Sequence, residues 1–209
     1  THVGRLAFPI FAFLAVEGYF HTRSFKRYAL RMLLFAVLSE VPFDLMYGGT
    51  VFYPVHQNVI WTLLLGLLGI RLMEAARAKG KRWLYVLTCA AVVVLGFALG
   101  TLGMVDYYGA GVLTVFAFYF FRERKWWCLL GQLAALYWLN VVVLGGQMYP
   151  VTLFGREIEL CEQGLALLAL VPIWLYRGRQ GHHSKAFQYA CYAFYPAHML
   201  VLALLTMIQ

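Results

Sequence analysis

Charged residues are scarce in this sequence. Only 12% of its residues are Asp, Glu, Lys or Arg, 63% are hydrophobic, and the mean hydropathy is +0.72. A soluble domain carries about a quarter charged residues, so the shortage excludes an ordinary soluble domain. Lipid offers backbone groups no hydrogen-bond partners, and the apolar runs are too long for alternating barrel strands. We therefore predict an all-α fold, a polytopic membrane helix bundle.

Several chemical signatures are missing as well. The four cysteines are scattered and show no CxxC or Cys/His spacing, so we expect small buried hydrophobic side chains and no metal site. The chain contains no P-loop, GxSxG, HExxH or dinucleotide-binding sequence. No internal repeat, low-complexity tract or linker divides it. We expect a single integral-membrane domain over residues 1–209.

The cations that are present have an uneven distribution. Fourteen of the 17 Lys and Arg residues lie in four short segments, Arg23–Arg27, Arg71–Arg82, Arg122–Lys125 and Arg177–Lys185. Apolar stretches separate these segments, which is the positive-inside pattern and predicts that the basic loops are cytoplasmic. The same pattern accounts for the net charge of +8, so we expect no nucleic-acid partner.

The apolar stretches have the length of membrane spans, which need roughly 20 residues each. We predict eight spans in this chain, at residues 4–20, 28–46, 58–76, 83–103, 106–121, 126–145, 161–176 and 187–208. With the basic loops in the cytoplasm, both ends of the chain lie outside, and nothing basic precedes Gly4. We therefore expect one further N-terminal helix in the intact protein.

Two carboxylates within the second span are candidates for chemistry. An ionisable side chain at the membrane centre costs about 2.5–3.5 kcal/mol, so each one needs a reason. Glu40 and Asp44 lie four residues apart on one helix face, with Pro42 between them. Such a pair can bind a cation or serve as acid and base. The alternative is an ion pair with a neighbouring helix, for instance with Arg5.

The third predicted span begins with a polar block. His56 precedes Asn58, and Thr62, Gly66 and Gly69 follow on one helix face, which indicates a stripe facing a partner helix or a cavity. His56 is a candidate general base, because imidazole titrates near neutral pH. The alternative is that Asn58 caps the helix and His56 lies at the membrane interface.

Two further ionisable groups lie in the first and last predicted spans. Glu17 is either functional or an ordinary helix-end carboxylate paired with Arg23 or Arg27. His198 is near mid-membrane beside a proline, and it is either functional or hydrogen-bonded to a helix neighbour. His198 belongs to a polar stripe with Gln188, Cys191, Tyr192 and Tyr195.

Several segments together resemble the TraX family. The segments are Gly4–Phe13 with Glu17-Gly18 and His21–Arg23, Ser39–Asp44, His56–Asn58 followed by Thr62–Gly66, and Phe194–His198. Their order and spacing agree over nearly the whole chain. The family is named for membrane proteins that acetylate the N-terminus of conjugative pilin. It is more remotely similar to transmembrane acyltransferases, which carry acetyl from cytoplasmic acetyl-CoA to an acceptor across the membrane.

The resemblance implies a multi-pass acetyltransferase of the bacterial cytoplasmic (inner) membrane, with acetyl-CoA as donor. Its acceptor would be the amine or hydroxyl of a peptide, such as a pilin-like N-terminus, or of a lipid or glycan. The expected catalytic residues are His56 or His198 as base, oriented by Glu40 or Asp44, with Glu17 as a further candidate. The expected phosphate contacts are Arg23, Lys26, Arg27 and Arg31. The expected substrate or oxyanion contacts are Gln57, Asn58, Tyr195 and Arg5.

The resemblance also implies a further N-terminal helix with an Asp-His pair, which this chain does not contain. Two other functions fit the residues. Buried carboxylates and interrupted helices also mark ion and proton pathways, so a proton- or ion-coupled transporter is the main alternative, although no internal repeat supports it. A non-catalytic scaffold, whose polar stripes serve helix packing, is the second alternative.

Overall fold

Helices make up most of the fold, and the predicted all-α class is confirmed. The computed structural model describes residues 4–153, 156–176, 178 and 184–208. Its α-helices are α1 (Gly4–His21), α2 (Phe25–Gly48), α3 (Val59–Ala78), α4 (Arg82–Leu102), α5 (Tyr108–Phe120), α6 (Trp126–Tyr137), α7 (Leu170–Leu175) and α8 (Lys185–Ile208). A π-helical segment, Trp138–Leu144, continues α6, and a 3-10 helix, Glu162–Ala169, leads into α7.

Three helical segments are long and apolar enough to cross a membrane by length and composition. They are Val59–Ala78, Arg82–Leu102 and Trp126–Leu144. Three shorter helical segments, Tyr108–Phe120, Glu162–Leu175 and Tyr189–Leu205, are apolar as well. Much of the apolar surface of α4 and α8 faces outward, as lipid-facing helices require. These helices are typical of a membrane protein.

Helices α3 and α5 form the centre of the bundle. Leu67, Ile70 and Met73 on α3 are fully buried against α5, where Val112 and Phe116 are buried too. Helix α1 packs on α5 and on the 3-10 helix, α4 packs on α3 and α5, and α2 packs on α3 and α8. These contacts place the N-terminal half of α3 between α2 and α5.

The small-residue stripe of α3 faces a partner helix. A Cβ atom added at Gly66 would come within 2.6 Å of Val115, and one added at Gly69 would come within 2.6 Å of Phe116. Both contacts are on α5, and they are too short for any side chain larger than hydrogen. Of the two predicted roles, close helix packing is thus the one that the structure shows.

The loops divide between two ends of the bundle. We call the end with residues 22–24, 79–81 and 121–125 the basic end, and the end with residues 49–58, 103–107 and 145–161 the opposite end. The fourth basic segment, Arg177–Lys185, lies largely outside the described residues. The alternation of basic and non-basic loops therefore corresponds to two faces of one helical bundle.

A β-hairpin at the opposite end was not predicted. Strand β1 (Met148–Leu153) pairs antiparallel with β2 (Arg156–Cys161), so that Met148 lies opposite Cys161. We had expected only a loop between the sixth and seventh spans. The segment is short and interrupted by Pro150, so hydropathy does not separate it from a loop, although its β-branched residues favour a strand.

Candidate functional site

His56 is buried in an aromatic cluster at the opposite end. Its side chain stacks on Phe43 and Tyr47 of α2, with ring centroids 5.6 and 4.7 Å away. Tyr108 at the start of α5 meets the imidazole edge-on at 5.8 Å. His56 itself is 8% exposed. His56 is therefore a packed imidazole surrounded by three aromatic rings.

Asp106 is the charged neighbour of His56. His56 Nε2 lies 3.5 Å from Asp106 Oδ1. This carboxylate belongs to the tight turn between α4 and α5, which the sequence analysis did not include in the site. We had predicted that Glu40 or Asp44 would orient the histidine, and the structure gives Asp106 that position instead.

Glu40 binds to the start of α3. One of its carboxylate oxygens, Oε2, accepts hydrogen bonds from Asn58 Nδ2 and from Trp61 Nε1, the latter at 2.9 Å. Asn58 also donates to the Ala36 carbonyl at 2.8 Å and accepts from the Ile60 N–H at 3.0 Å, which makes it the N-cap of α3. Both N–H donors of Asn58 are thus engaged, so its predicted role as an oxyanion donor is replaced by a structural one.

Asp44 is almost fully buried one turn further along α2. Its Oδ2 accepts a hydrogen bond from the Tyr53 N–H at 2.9 Å, which fixes the loop that leads to His56. Its other oxygen, Oδ1, has no hydrogen-bond partner among the described residues, and neither has Glu40 Oε1. Each carboxylate therefore uses one oxygen for structure and leaves one unsatisfied.

Tyr195 of α8 completes this cluster. Its hydroxyl is buried and has no hydrogen-bond partner in the described part of the chain. Asp106, Glu40 and Tyr107 lie within electrostatic reach of this hydroxyl, and the Val59 backbone is close to it. A buried phenol without a partner costs free energy, and this makes Tyr195 an available donor.

Arg5 and Gln57 lie at the edge of the same cluster. Arg5 is 3.5 Å from Glu162 Oε1, so the predicted alternative of an ion pair with Glu40 or Asp44 was wrong. It also faces the hydroxyls of Tyr47 and Tyr107. The Gln57 side chain donates to the Pro54 carbonyl at 3.2 Å. Arg5 is thus close to the histidine site, whereas the Gln57 side chain is occupied locally.

His198 is not in contact with His56 in the described part of the chain. Its Nδ1 is 2.8 Å from the Tyr195 carbonyl on its own helix, and its ring stacks on Phe194. Of its predicted stripe, the side chains of Gln188 and Tyr192 lie outside the described residues. The structure thus gives His56, and not His198, the surroundings of a candidate base.

Glu17 forms an ion pair with Arg122 at the basic end. Its carboxylate accepts two hydrogen bonds from Arg122, at 2.7 and 3.3 Å, and the Arg122 guanidinium lies 4.1 Å from the Phe20 ring centroid. The partner that we had considered was Arg23 or Arg27, and that pairing was wrong. Arg122 replaces them because the loop after α5 is brought next to the C-terminal turn of α1.

Two cavities open at the basic end, on either side of the end of α1. The first, of about 680 Å³, is lined by Glu17, His21 and Arg122, together with Gln132 and Trp174. Among the charged residues of its lining, Arg122 pairs with Glu17, Glu123 pairs with Lys125 at 2.6 Å, and Arg124 donates to the Trp174 carbonyl at 3.5 Å. The Lys125 ammonium holds the pKa of the Glu123 carboxyl below its usual range.

The second cavity, of about 690 Å³, lies between α1, α2 and α3. It is lined by Arg23, Lys26 and Arg71, by Glu74, and by the aromatic residues Tyr19, Phe20 and Phe25. Arg71 lies 5.9 Å from the centroid of the Phe25 ring. We had predicted Arg23 and Lys26 together with Arg27 and Arg31. The structure brings the first two to this cavity, adds Arg71, and leaves Arg27 and Arg31 outside its lining.

A family model described as TraX protein matches residues 1–206. The chain belongs to the TraX family. It is 28% identical over 210 residues to the probable fimbrial assembly protein FimC, serogroup H1, of Dichelobacter nodosus, and the alignment covers 96% of this chain and 80% of that protein. No solved structure matches the chain.

Sequence reasoning missed two residues of this TraX-family site. Asp106 lies far from the segments that carry the resemblance, and Arg71 lies just beyond one of them, Thr62–Gly66; folding brings the two residues next to His56 and Arg23. A signal for Asp106 was available, because it is a carboxylate in the short turn between two apolar spans. We had noted it only as part of the loop charge.

Proposed function

We propose that this protein is an integral-membrane acetyltransferase that transfers acetyl from acetyl-CoA to an amine. The observation that carries the proposal is the buried imidazole of His56, held beside a carboxylate in a chain of the TraX family. The similar protein named for fimbrial assembly supports a pilin-like peptide as acceptor. The basic end would then face the cytoplasm of a bacterial inner membrane, where acetyl-CoA is available.

The cavity between α1, α2 and α3 is the better fit for the phosphates of the donor. Arg23, Lys26 and Arg71 have no carboxylate partner among the described residues, so their charges are available to an anion. The aromatic side chains beside them offer flat surfaces on which the adenine base of acetyl-CoA can stack. In the neighbouring cavity, by contrast, Arg122 is paired with Glu17, and Arg124 donates to the Trp174 carbonyl at 3.5 Å. The cavity between α1, α2 and α3 is therefore the proposed entry point of acetyl-CoA.

The distance between the two ends sets a requirement for the donor. Asn58 and Arg71 lie 13 positions apart on α3, which corresponds to about 20 Å along the helix axis. A donor bound by its phosphates near Arg71 needs a long, flexible arm to bring an acyl group to His56. The phosphopantetheine arm of acetyl-CoA has this property, and a small acyl phosphate does not.

His56 would act as the general base. With Nε2 directed at Asp106, the other ring nitrogen, Nδ1, is free to accept a proton from the attacking amine. The amine nitrogen then forms a bond to the acetyl carbonyl carbon, and the carbon–sulfur bond breaks. Tyr195 can donate its unsatisfied hydroxyl to the carbonyl oxygen while that oxygen carries negative charge. His56 returns the proton to the departing thiolate, so the reaction balances as amide and free CoA.

One observation favours a second candidate, an ion-coupled transporter. Glu40 Oε1 and Asp44 Oδ1 are both buried and unsatisfied, as the residues of an ion pathway are when the ion is absent. The hydrogen bonds from Asn58, Trp61 and Tyr53 argue for a fixed structural use of these carboxylates. The two functions separate experimentally, because a transporter has no need to bind acetyl-CoA.

The test is calorimetric titration of the purified full-length protein with acetyl-CoA, followed by mixing with a peptide that has a free N-terminal amine. We expect micromolar binding and release of free CoA with one amide formed per CoA. The same peptide with a blocked N-terminus is the control and should release no CoA. Absence of binding, together with cation flux into vesicles that depends on Glu40 and Asp44, would establish the transporter instead.

A further inference from the structure

We propose that Asp106 is the positioning residue for His56, which orients the imidazole. The inference rests on the proposed function, in which His56 is the base. It assigns a role to the turn between α4 and α5. His56 Nε2 is 3.5 Å from Asp106 Oδ1, and this contact would favour the tautomer that carries its proton on Nε2.

The backbone around both residues is tied together. The Gln57 N–H donates to the Met104 carbonyl at 2.9 Å, and the Asp106 N–H donates to the Gln57 carbonyl at 3.0 Å. The Thr62 hydroxyl donates to the Asp106 carbonyl at 2.7 Å. The backbone of Gln57, the residue after His56, is thus hydrogen-bonded to the backbone of Asp106. This pairing keeps His56 and Asp106 next to each other.

The turn that presents Asp106 is strained. Met104, Tyr107 and Tyr108 have φ angles of 49°, 60° and 49°, and they are the non-glycine residues with positive φ in the described part of the chain. Each such residue costs of order 1–3 kcal/mol and persists only where its surroundings fix it. Stacking of Tyr107 on Phe8, with centroids 4.2 Å apart, supplies part of that support. Strain concentrated around one carboxylate is expected where its position matters.

The other carboxylates of the cluster are less suited to the role. Glu40 is directed at Asn58 and Trp61, and Asp44 is directed at the Tyr53 N–H. Within the described residues, Asp106 Oδ1 accepts a local hydrogen bond from the Tyr107 N–H at 3.1 Å besides its contact with His56. The aromatic side chains around His56 come from other elements, Phe43 and Tyr47 from α2 and Tyr108 from α5, and Arg5 of α1 acts electrostatically on the Tyr47 hydroxyl.

A spectroscopic experiment tests this inference without using the acetyl-transfer reaction. The full-length protein is labelled with ¹⁵N-histidine, and the ring signals of His56 are assigned by their absence in His56→Ala. In the wild type we expect a protected Nε2–H signal and an unprotonated Nδ1. In Asp106→Ala we expect the Nε2–H signal to be lost through exchange. Retention of that signal in Asp106→Ala would overturn the inference even if the protein proves to be an acetyltransferase.

Kinetics then test whether positioning matters for turnover. Asp106→Asn keeps the shape of the side chain and removes its charge, and we expect kcat to fall about 100-fold with little change in KM. Asp106→Glu should recover part of kcat, and Glu123→Gln, at the basic end, should have no effect. A rise in KM with unchanged kcat would instead make Asp106 a substrate contact.

Discussion

The two ends of the bundle treat their polar side chains in opposite ways. At the opposite end, His56, Asp44 and Asn58 are buried, and oxygens of Glu40 and Asp44 have no partner in the described residues. At the basic end, Arg23, Lys26 and Arg71 line one cavity without a carboxylate partner among the described residues, and Arg122 of the other cavity pairs with Glu17. The buried polar groups without partners raise the free energy of the folded protein at the opposite end, whereas the exposed cations of the basic end raise it very little.

From this difference we infer that the reaction and the binding of the donor take place at different ends of the bundle. Burying polar groups without partners costs free energy, so their presence at the opposite end indicates a use that only a ligand or a reaction supplies. Open cations cost little and are suited to attracting an anion from solution. The opposite end is therefore the proposed place of reaction, and the basic end is the proposed place of donor binding. Each prediction below alters one end and leaves the other unchanged.

The largest effect is expected from His56→Ala. Loss of a general base should lower kcat by about 10²–10⁴-fold. Acetyl-CoA affinity should not change, because the donor phosphates bind at the other end. Turnover and calorimetric binding are measured on the same preparation, with His21→Ala at the basic end as the matched control. Wild-type turnover in His56→Ala, in a folded protein, would remove His56 from the mechanism.

The next effect concerns the ion pair between Glu17 and Arg122. Glu17→Gln leaves the partly buried Arg122 without its counter-charge, which should lower the free energy of unfolding by roughly 2 kcal/mol. Thermal unfolding in detergent measures the change. The double variant with Arg122→Gln should lose less than the sum of the two single variants, because both remove the same contact. The exposed pair of Glu123 and Lys125 is the control, and Glu123→Gln should leave the unfolding midpoint unchanged. Additive losses would mean that the pair does not couple.

Arg71→Gln should weaken acetyl-CoA binding by about tenfold, the loss of one charge-assisted contact worth about 1.4 kcal/mol. kcat at saturating donor should stay near the wild-type value, because the opposite end is intact. Arg82→Gln removes an exposed cation from the same end, outside the cavity lining, and should have no such effect. Equal effects of the two substitutions would mean that the basic end contributes only its overall charge.

The architecture was largely predictable because lipid restricts the choices. Hydropathy and the positions of the cations are enough to predict helices and the two ends of the bundle. The helix boundaries follow: the predicted third span, 58–76, is α3 at Val59–Ala78. Asn58 was also placed correctly as a possible cap. These features depend on local sequence and on the preference of apolar segments for lipid, and the sequence encodes both.

Pairing of side chains was not predictable in the same way. Glu17 binds Arg122, 105 positions away, and not the nearby Arg23 or Arg27. His56 meets Asp106 and not a carboxylate of α2. Such partners depend on which helices become neighbours, and hydropathy is the same for every arrangement of the bundle. The hairpin of β1 and β2 was missed for a related reason, since its short strands carry no membrane signal.

The smallest effect tests whether the turn at the opposite end stores strain. Met104 has a φ of 49° and is 40% exposed, so glycine there removes a left-handed penalty of about 1–2 kcal/mol without removing a buried contact. The greater freedom of glycine in the unfolded chain offsets about 0.4–1 kcal/mol of this gain. Met104→Gly should therefore raise the free energy of unfolding by less than about 1 kcal/mol. Leu102→Gly, at the exposed last residue of α4, should lower it by about 1 kcal/mol. If both substitutions destabilise equally, the turn is relaxed, and the contrast between the two ends would have to rest on the unsatisfied polar groups alone.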